Sequence, residues 1–314
     1  MTKAFVFPGQ GSQKIGMGKA LFEAFPEARM VFQEVDEVLE QKLSTLMFDG
    51  SEDELKMTEN TQPALMAVSI AVLRVLMSQS GLKLPEMAAF VAGHSLGEYA
   101  ALCAAESLTL ANTATLLRKR GRAMQKAVPA GIGGMAALLG ANVDLAKEIA
   151  AAASQGDICV AANDNADGQV VISGNNHAID RAIALAAEKG LKRCIKLPVS
   201  APFHCPLMQP AADVMREALA QVHLMPPCVP VVSNVTALAT SDPDVIRDLL
   251  VQQITGSVRW RESVLFMKAH GVDQLVECGS GAVLAGLTKR IDKEITAVSL
   301  QTPEDIDAYL KQSL

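Results

Sequence analysis

The sequence predicts an α/β protein in two parts, a large domain built on a parallel sheet and a small α+β domain inserted into it. Two observations lead to this fold class. Short apolar runs alternate with longer segments of helical periodicity, which is typical of α/β proteins. Between residues 128 and 198 the order changes to strand, helix, strand, strand, helix, strand. We therefore assign residues 1–127 and 199–314 to the large domain and residues 128–198 to the insertion.

The composition is that of a folded protein without a nucleic-acid partner. Of the 314 residues, 50% are hydrophobic and 20% are charged, which argues against disorder. The net charge of −6 lacks the basic balance of a nucleic-acid binder. No apolar run reaches the roughly 18 residues of a membrane helix, and the run before Pro8 is too short for a signal-peptide core. The six cysteines form no C-x-x-C pair, so we expect a cytoplasmic protein with reduced thiols, no metal site and no membrane contact.

Four elements are predicted before the insertion. In chain order they are a strand at 3–7, a helix at 61–81, a strand at 87–93 and a helix at 109–127. The strands are short apolar runs that end at proline or glycine, and the helices are longer periodic segments. We expect Thr61 to cap the first of these helices, Pro63 to lie near its first turn and Gly81 to end it.

The insertion has the βαββαβ order of ferredoxin-like units. Its elements are a strand at 133–140, a helix at 141–154, strands at 158–163 and 168–174, a helix at 177–190 and a strand at 191–200. The turn-rich residues 164–167 join the two middle strands. The chain then returns to the large domain, where we expect strands near 229–235, 273–278 and 295–300, each beside a helix.

A Gly-x-Ser-x-Gly sequence lies between the strand at 87–93 and the segment that follows it. Gly93, Ser95 and Gly97 form the nucleophile-elbow signature, so we expect the large domain to be α/β-hydrolase-like. In such a turn the Ser95 hydroxyl lies at the positive end of the next helix, and the Leu96 N–H faces any oxyanion formed there. The alternative is an ordinary N-cap serine between two packing glycines.

A serine nucleophile needs a base, and His204 is the histidine best placed to serve. It lies in a proline-punctuated loop that returns the chain to the large domain, and loops of this kind often carry function. A structural loop histidine is the alternative. His94 adjoins Ser95, but the sharp turn should send its side chain elsewhere. No acid between Ser95 and His204 clearly ends a strand of the large domain, so we predict a dyad whose imidazole is oriented by a carbonyl or an amide.

Eight motifs together connect this chain with a known family. In order they are FVFPGQGSQ (5–13), TQPAL (61–65), GHSLGEYAAL (93–102), RGRAMQ (120–125), GQVVISG (168–174), PVSAPFHCPLM (198–208), PVVSNV (230–235), and VQQI (251–254) followed by VRW (258–260). On these motifs the chain resembles the bacterial malonyl-CoA:acyl-carrier-protein transacylases over nearly its whole length. Each motif alone would be weak, but their combination in this order is specific.

The resemblance implies roles for the site residues. Ser95 would carry the acyl ester and His204 would act as base and then acid. The Gln10 N–H would donate to the oxyanion, the Gln253 carbonyl would orient His204, and Arg120 would bind the malonyl carboxylate. Asn163 would bind the substrate or order the site, and Phe203 would crowd the malonyl α-carbon. Phe203 could equally be a packed residue of the core. Cys205 could be a thiol whose oxidation blocks the site, or a packed residue.

The resemblance also implies partners and a reaction. Malonyl-CoA and an acyl carrier protein would be the substrates in a ping-pong transfer that supplies fatty acid synthesis, without a cofactor, in a monomeric enzyme. Carrier proteins of this kind are acidic, so a basic surface should receive them. The candidates are Lys192, Arg193, Lys289 and Arg290, and the alternative is that these are solvated surface charges.

Helical spacing bears on the role of Arg120. The apolar stripe of the helix at 109–127 separates Arg118 from Arg120. The residues on the same side of the helix as each arginine predict that Arg118 is exposed to solvent and that Arg120 is buried. A buried guanidinium needs a partner, which could be a substrate carboxylate or an internal salt bridge.

Three other functions remain open on the sequence. A serine esterase or thioesterase would need the same elbow, since the elbow does not separate transfer to a thiol from transfer to water. The transacylase component of a malonate-decarboxylating system would share the site. A non-catalytic carrier-docking protein is disfavoured because a pure binder needs no nucleophile turn.

Overall fold

The computed structural model describes residues 1–129, 131–199 and 201–313, and within them the strands form two sheets. The strands are β1 Lys3–Phe7, β2 Phe90–Gly93, β3 Gly133–Leu139, β4 Cys159–Ala166, β5 Gln169–Asn175, β6 Arg193–Lys196, β7 Val231–Val232, β8 Ala239–Thr240, β9 Gln274–Cys278 and β10 Thr296–Leu300. The helices are α1 Lys19–Ala24, α2 Pro26–Val38, α3 Leu43–Asp49, α4 Glu52–Lys56, α5 Thr58–Ser80, α6 Leu84–Met87, α7 Leu96–Ala104, α8 Leu110–Ala127, α9 Val143–Ser154, α10 Asn176–Glu188, α11 Gln209–Ala220, α12 Pro243–Thr255, α13 Trp260–Ala269, α14 Val283–Ile291 and α15 Pro303–Ser313, with a 3₁₀ turn at Pro206–Met208.

The larger sheet has the order β10-β9-β1-β2-β7-β8 and is parallel except for the pair β7 and β8. Its central strand, β1, is buried from Ala4 to Phe7, as expected for a strand covered by helices on both faces. Phe7 pairs with Gly93, so β1 and β2 end side by side. The turn after β1 and the turn after β2 therefore meet at the same edge of the sheet.

The smaller sheet has the order β4-β5-β3-β6 and its strand pairs are all antiparallel. Helices α9 and α10 pack on it around an alanine-rich core. Ala166 pairs with Gln169, so β4 continues through most of the predicted turn at 164–167 and the turn shrinks to Asp167 and Gly168. Gly168 has a φ of 74°, a conformation that glycine adopts without strain and that tight hairpins require.

The edge strand β4 of the smaller sheet is bonded to residues that follow α12. The Val258 N–H donates to the Ala162 carbonyl over 2.8 Å, and the Asp164 N–H donates to the Val258 carbonyl over 2.9 Å. Arg261 pairs with the buried Asp164 carboxylate at 3.0 Å. These contacts hold the end of β4 beside the turn that follows β2.

Helix α5 forms the centre of the large core and begins earlier than predicted. It starts at Thr58, so Thr61 is not its cap, and the Thr61 hydroxyl instead donates to the Leu55 carbonyl at the end of α4. Gly81 ends the helix with a φ of 70°, as predicted. By length and composition α5 could cross a membrane, but 83% of its apolar window is buried inside the protein, so its apolar character is that of a core helix.

Candidate active site

The turn between β2 and α7 holds Ser95 in a rarely populated conformation, with φ 54° and ψ −111°. A Cβ on Gly93 would lie 1.9 Å from the backbone of Gly97, and one on Gly97 would lie 2.2 Å from the Phe7 carbonyl oxygen. Both flanking positions therefore require glycine. The Ser95 side chain makes no capping bond to its helix, which disfavours the N-cap interpretation. Strain of this kind persists where the surrounding structure fixes it, commonly at functional sites.

Asn234, which follows β7, holds this turn from the neighbouring strand. Its side-chain oxygen accepts the Ser95 N–H at 2.7 Å, and its side-chain nitrogen donates to the Gly93 carbonyl at 2.7 Å. The Ser95 N–H is thereby occupied, whereas the N–H of Leu96, the first residue of α7, has no acceptor within its own helix.

His204 joins Ser95 to a backbone carbonyl. Its Nε2 lies 2.8 Å from the Ser95 Oγ, and its Nδ1 lies 2.8 Å from the carbonyl oxygen of Gln253. A carbonyl can only accept, so Nδ1 carries the proton and Nε2 is left to accept the Ser95 hydroxyl. The structure thus brings together Ser95, His204 and the Gln253 carbonyl, the three groups that the sequence-based prediction linked.

The imidazole is held in its neutral form. Burial and, second, the nearby Arg120 lower the pKa of His204 from 6.5 to about 3. A neutral imidazole is the form that takes a proton from serine. Because the pKa is lower in the folded state, the contribution of this group to stability is complete above pH 6.5 and is lost as the pH falls towards 3.

We expect the His204 ring to show no titration between about pH 8 and pH 5, because both burial and Arg120 oppose its protonation. NMR of the imidazole ring atoms measures this directly, with the signal assigned through a His204→Gln variant. A midpoint near the ordinary value of 6.5 would contradict the expectation.

Arg120 is 1% exposed and reaches the same hydroxyl. Its Nη2 donates to the Ser95 Oγ at 3.1 Å and to the Gln253 Oε1 at 2.9 Å, and its Nη1 donates to the Gln62 Oε1 at 2.8 Å. In the described part of the chain no ion pair involves Arg120, so its protein partners there are neutral oxygens rather than the internal salt bridge considered above. Within the described residues its Nε–H is buried and has no hydrogen-bond acceptor.

The prediction that Arg118 is exposed to solvent is wrong. Arg118 is 8% exposed, and it donates to the Asn60 Oδ1 at 2.9 Å and to the Gln41 side chain. Helix α8 packs against both α5 and α2, so neighbouring helices cover the two sides of its apolar stripe.

A buried carboxylate, Glu98, lies one turn along α7 from the nucleophile. Its Oε2 accepts the Asn234 N–H at 3.1 Å and the Gln253 Nε2 at 2.8 Å. Burial raises the pKa of the Glu98 carboxyl to about 7, against the opposing effect of these hydrogen bonds. Glu98 is not among the residues predicted from the sequence, because it does not end a strand. Asn234 and Gln62 are not among them either. The only local signal was the position of Glu98 directly after Gly97.

The turn after β1 packs directly on the Ser95 turn. A Cβ on Gly9 would lie 2.7 Å from the His94 carbonyl oxygen, and a Cβ on Gly97 would lie 3.0 Å from the Pro8 carbonyl oxygen. The backbone of Gln10, the residue after Gly9, is therefore brought to the edge of the Ser95 turn.

Comparison with known proteins agrees with this geometry. A family model described as an acyl transferase domain matches residues 4–301. The chain belongs to the acyl transferase family. It is 45% identical to the malonyl CoA-acyl carrier protein transacylase of Bacillus subtilis over 98% of this chain and 96% of that protein. It is 44% identical to the protein of the same name from Escherichia coli K12, over 98% of each chain.

Solved structures of this acyl transferase family have the same fold. The acyl-carrier-protein-S-malonyltransferase of Bartonella henselae is 54% identical, with a TM-score of 0.97 and 99% of each chain covered. A malonyl-transacylase in complex with a type II polyketide synthase acyl-carrier protein is 40% identical, with a TM-score of 0.96 and 100% of each chain covered.

Two other predicted site residues of this acyl transferase, Asn163 and Phe203, are buried. Asn163 is 6% exposed in β4, and among the described residues its side chain has no hydrogen bond to Ser95, His204 or Arg120. It is Asn165 whose Oδ1 lies 2.8 Å from His94 Nε2. Phe203 is 8% exposed and packs in the main core.

The remaining features of the site concern thiols and metals. Cys205 is fully buried, and burial raises the pKa of its thiol, which favours the packed interpretation. The described residues contain no group of three or more His, Cys, Asp or Glu side chains arranged to hold a metal.

The four basic candidates are exposed and lie at one end of the smaller sheet. Arg290 donates to the Gln169 side chain at 3.0 Å. Gln169 pairs with Leu139, and Leu139 pairs with Arg193. Arg193 therefore lies in the same row of paired residues as Gln169, which Arg290 contacts. The same row contains Ala166, next to the Asn165 that contacts His94. Arg193 lies on β6, the edge strand opposite β4, whereas Arg290 contacts the start of β5.

Proposed function

We propose that this protein transfers a malonyl group from malonyl-CoA to the phosphopantetheine thiol of an acyl carrier protein, supplying fatty acid synthesis. One observation carries the assignment. The Ser95 hydroxyl lies 2.8 Å from a neutral imidazole and 3.1 Å from a buried guanidinium that has no anionic protein partner in the described structure. A nucleophile beside an unpaired buried cation fits an acyl thioester that carries its own carboxylate. The names of the relatives agree with this assignment.

The first half-reaction is acylation of Ser95. The His204 Nε2 takes the Ser95 proton as the oxygen attacks the thioester carbonyl. The N–H groups of Leu96 and Gln10 stabilise the oxyanion, each contributing about 3 kcal/mol. The tetrahedral intermediate collapses, the C–S bond breaks, and the CoA sulfur leaves with the proton held by His204. The Gln253 carbonyl stabilises the imidazolium that exists between these steps.

The second half-reaction returns the enzyme to its starting state. The carrier thiol gives its proton to His204 and attacks malonyl-Ser95. The ester bond breaks, and Ser95 recovers its proton from His204. The kinetics are therefore ping-pong. Malonyl-CoA is the substrate, and we assign no cofactor or metal to the reaction.

Arg120 selects the acyl group in this proposal. A guanidinium can bind a carboxylate through two parallel hydrogen bonds, and acetyl-CoA offers no such group. We assign Phe203 to the space around the malonyl α-carbon, where its ring would disfavour a methyl branch. Asn163 is assigned to ordering the site from β4, two residues before the Asn165 that contacts His94.

The assignment is tested by intact-protein mass after brief exposure to malonyl-CoA without an acceptor. We expect one added malonyl group, which a carrier thiol then releases. Steady release of CoA into water without an adduct would favour an esterase or thioesterase. Absence of both adduct and free CoA would overturn the malonyl assignment. Release only to the carrier of a malonate-decarboxylating system, and not to a fatty acid carrier, would favour that alternative.

We propose that Lys192, Arg193, Lys289 and Arg290 receive the acidic carrier. The proposal is supported by their exposure and by the contact of Arg290 with Gln169, which lies in one row of paired residues with Arg193. A related malonyl-transacylase has been solved in complex with an acyl-carrier protein. Complementary charge at the rim of an interface chiefly raises the association rate and weakens with salt.

We expect the double variant Lys192→Glu/Arg193→Glu to raise the KM for the carrier by about tenfold, with the effect shrinking at high salt. Acylation by malonyl-CoA alone should not change. A matched control is Lys83→Glu/Lys311→Glu, which makes the same change in charge at two exposed lysines. Their chain neighbours Leu82 and Leu310 line a cleft with Lys3, at the start of β1. Equal effects of the two double variants would refute a docking role.

We also propose a finer description of the architecture. The antiparallel order β4-β5-β3-β6 with α9 and α10 supports a ferredoxin-like unit at residues 128–198, and the Ser95 turn on a parallel sheet supports an α/β-hydrolase-like domain at 1–127 and 199–314. The six cysteines are free, as in proteins of a reducing compartment, which supports a cytoplasmic enzyme. We propose that it acts as a monomer.

A further inference from the structure

We propose that Glu98 is a positioning residue for acyl transfer and that it acts through the side-chain amide of Gln253. The inference rests on the proposed malonyl transfer, which supplies the activity in which its effect is measured. Glu98 does not touch the reacting atoms. It holds the groups that do so.

The amide of Gln253 has one orientation that satisfies its neighbours. Its Nε2 lies 2.8 Å from the Glu98 Oε2, 3.0 Å from the Ser95 carbonyl oxygen and 3.3 Å from the Asn234 Oδ1. Its Oε1 accepts from the Arg120 Nη2 at 2.9 Å. A flipped amide would place its NH₂ against the guanidinium and its oxygen against three other oxygens. This pattern of donors and acceptors therefore fixes the amide.

Glu98 is the anchor of this arrangement. The Asn234 N–H and the Gln253 amide both donate to its Oε2. Asn234 in turn holds the Ser95 N–H, and the Gln253 backbone carbonyl holds His204. One carboxylate oxygen thus ties α7, which follows the nucleophile, to the loop after β7 and to α12. Loss of that acceptor would leave the buried Asn234 N–H unsatisfied and remove the shortest of the three contacts of the Gln253 Nε2, which loosens the hold on both residues.

The separation of Glu98 from Arg120 also has a chemical reason. Both side chains are buried, at 2% and 1% exposure, and the Gln253 amide lies between them. A direct carboxylate–guanidinium contact would compete with the substrate carboxylate for Arg120. The intervening Gln253 amide separates the two groups and leaves the guanidinium available to the substrate carboxylate.

Paired variants separate this role from simple packing. Glu98→Gln keeps a carbonyl oxygen that can accept the same two donors, whereas Glu98→Leu has similar volume and no acceptor. Per titrated active site, we expect kcat to fall about thirtyfold or more in Glu98→Leu and to stay within about threefold of the parent in Glu98→Gln. The KM for the carrier should not change in either variant, because docking does not involve Glu98.

A double-mutant cycle tests whether Glu98 acts through Gln253. Gln253→Leu removes the amide but keeps the backbone carbonyl that holds His204, and we expect its kcat to fall as far as that of Glu98→Leu. The double variant should be no slower than the slower single variant, since both changes break the same contact.

Glu277 supplies the matched control. It is a second buried carboxylate, and it accepts the N–H groups of Leu284 and Ala285 at the start of α14. Glu277→Gln and Glu277→Leu should leave kcat per titrated site unchanged.

Several outcomes would overturn the inference. They are full activity in Glu98→Leu, an equal loss in Glu98→Leu and Glu98→Gln, or additive losses in the cycle. If Glu98→Leu does not fold, a normal kcat in Gln253→Leu overturns it alone. Failure of the proposed function is distinguishable, because the parent enzyme would then form no malonyl adduct.

Discussion

Replacement of Ser95 by alanine abolishes the malonyl adduct and lowers kcat/KM for transfer to the carrier by at least about 10⁴-fold. The loss is large because the variant has no atom that can form the ester. His204 and the N–H groups around the oxyanion remain, and they retain only the ability to bind and polarise the thioester. Intact-protein mass after exposure to malonyl-CoA measures the adduct, and steady-state kinetics measure the transfer.

Ser107→Ala is a matched control for this variant. Ser107 is also buried, and its hydroxyl donates to the Met225 carbonyl at 2.6 Å, outside the site. It should form the adduct at the parent rate. A malonyl adduct on the Ser95→Ala protein would show that another side chain is the nucleophile and would remove the basis of the mechanism.

The nucleophile turn could be predicted because its determinants are local. Gly93 and Gly97 are required by contacts within the turn and with the adjacent β1, and Ser95 lies between them. The order of elements in the insertion could also be inferred, since each element has its own periodicity. The start of α5 could not, because the Thr61 hydroxyl is used by α4 rather than by a cap.

The groups that hold the site were beyond prediction from sequence. Asn234 reaches Ser95 only because β7 lies beside β2 in the sheet, and no local pattern gives that neighbour. Glu98 acquires its partners from the loop after β7 and from α12 in the same way. Arg118 was misassigned for a related reason, since the burial of a helix face depends on which helices cover it. The spacing of residues along one helix therefore predicts which side chains share a face, but the packing of other elements decides which faces are buried.

The second large effect concerns Arg120. We expect Arg120→Leu to lower kcat/KM for malonyl-CoA by about 10³-fold while transfer from acetyl-CoA is retained or increased. The guanidinium is buried with neutral oxygens as its protein partners, so it gains a charged partner only when the acyl group carries a carboxylate. An acetyl group leaves the cation unpaired, and leucine removes that penalty along with the malonyl contact.

The measurement is the ratio of kcat/KM for malonyl-CoA to that for acetyl-CoA. Arg118→Leu is the matched control, because Arg118 is a second buried arginine on α8 whose partners, Asn60 and Gln41, lie outside the site. Its malonyl-to-acetyl ratio should equal that of the parent. Arg120→Lys keeps the charge but loses the two-pronged contact, so we expect an intermediate ratio. An unchanged ratio in Arg120→Leu would mean that another group reads the carboxylate. In that case the buried guanidinium would serve mainly to hold Ser95 and Gln253 in place.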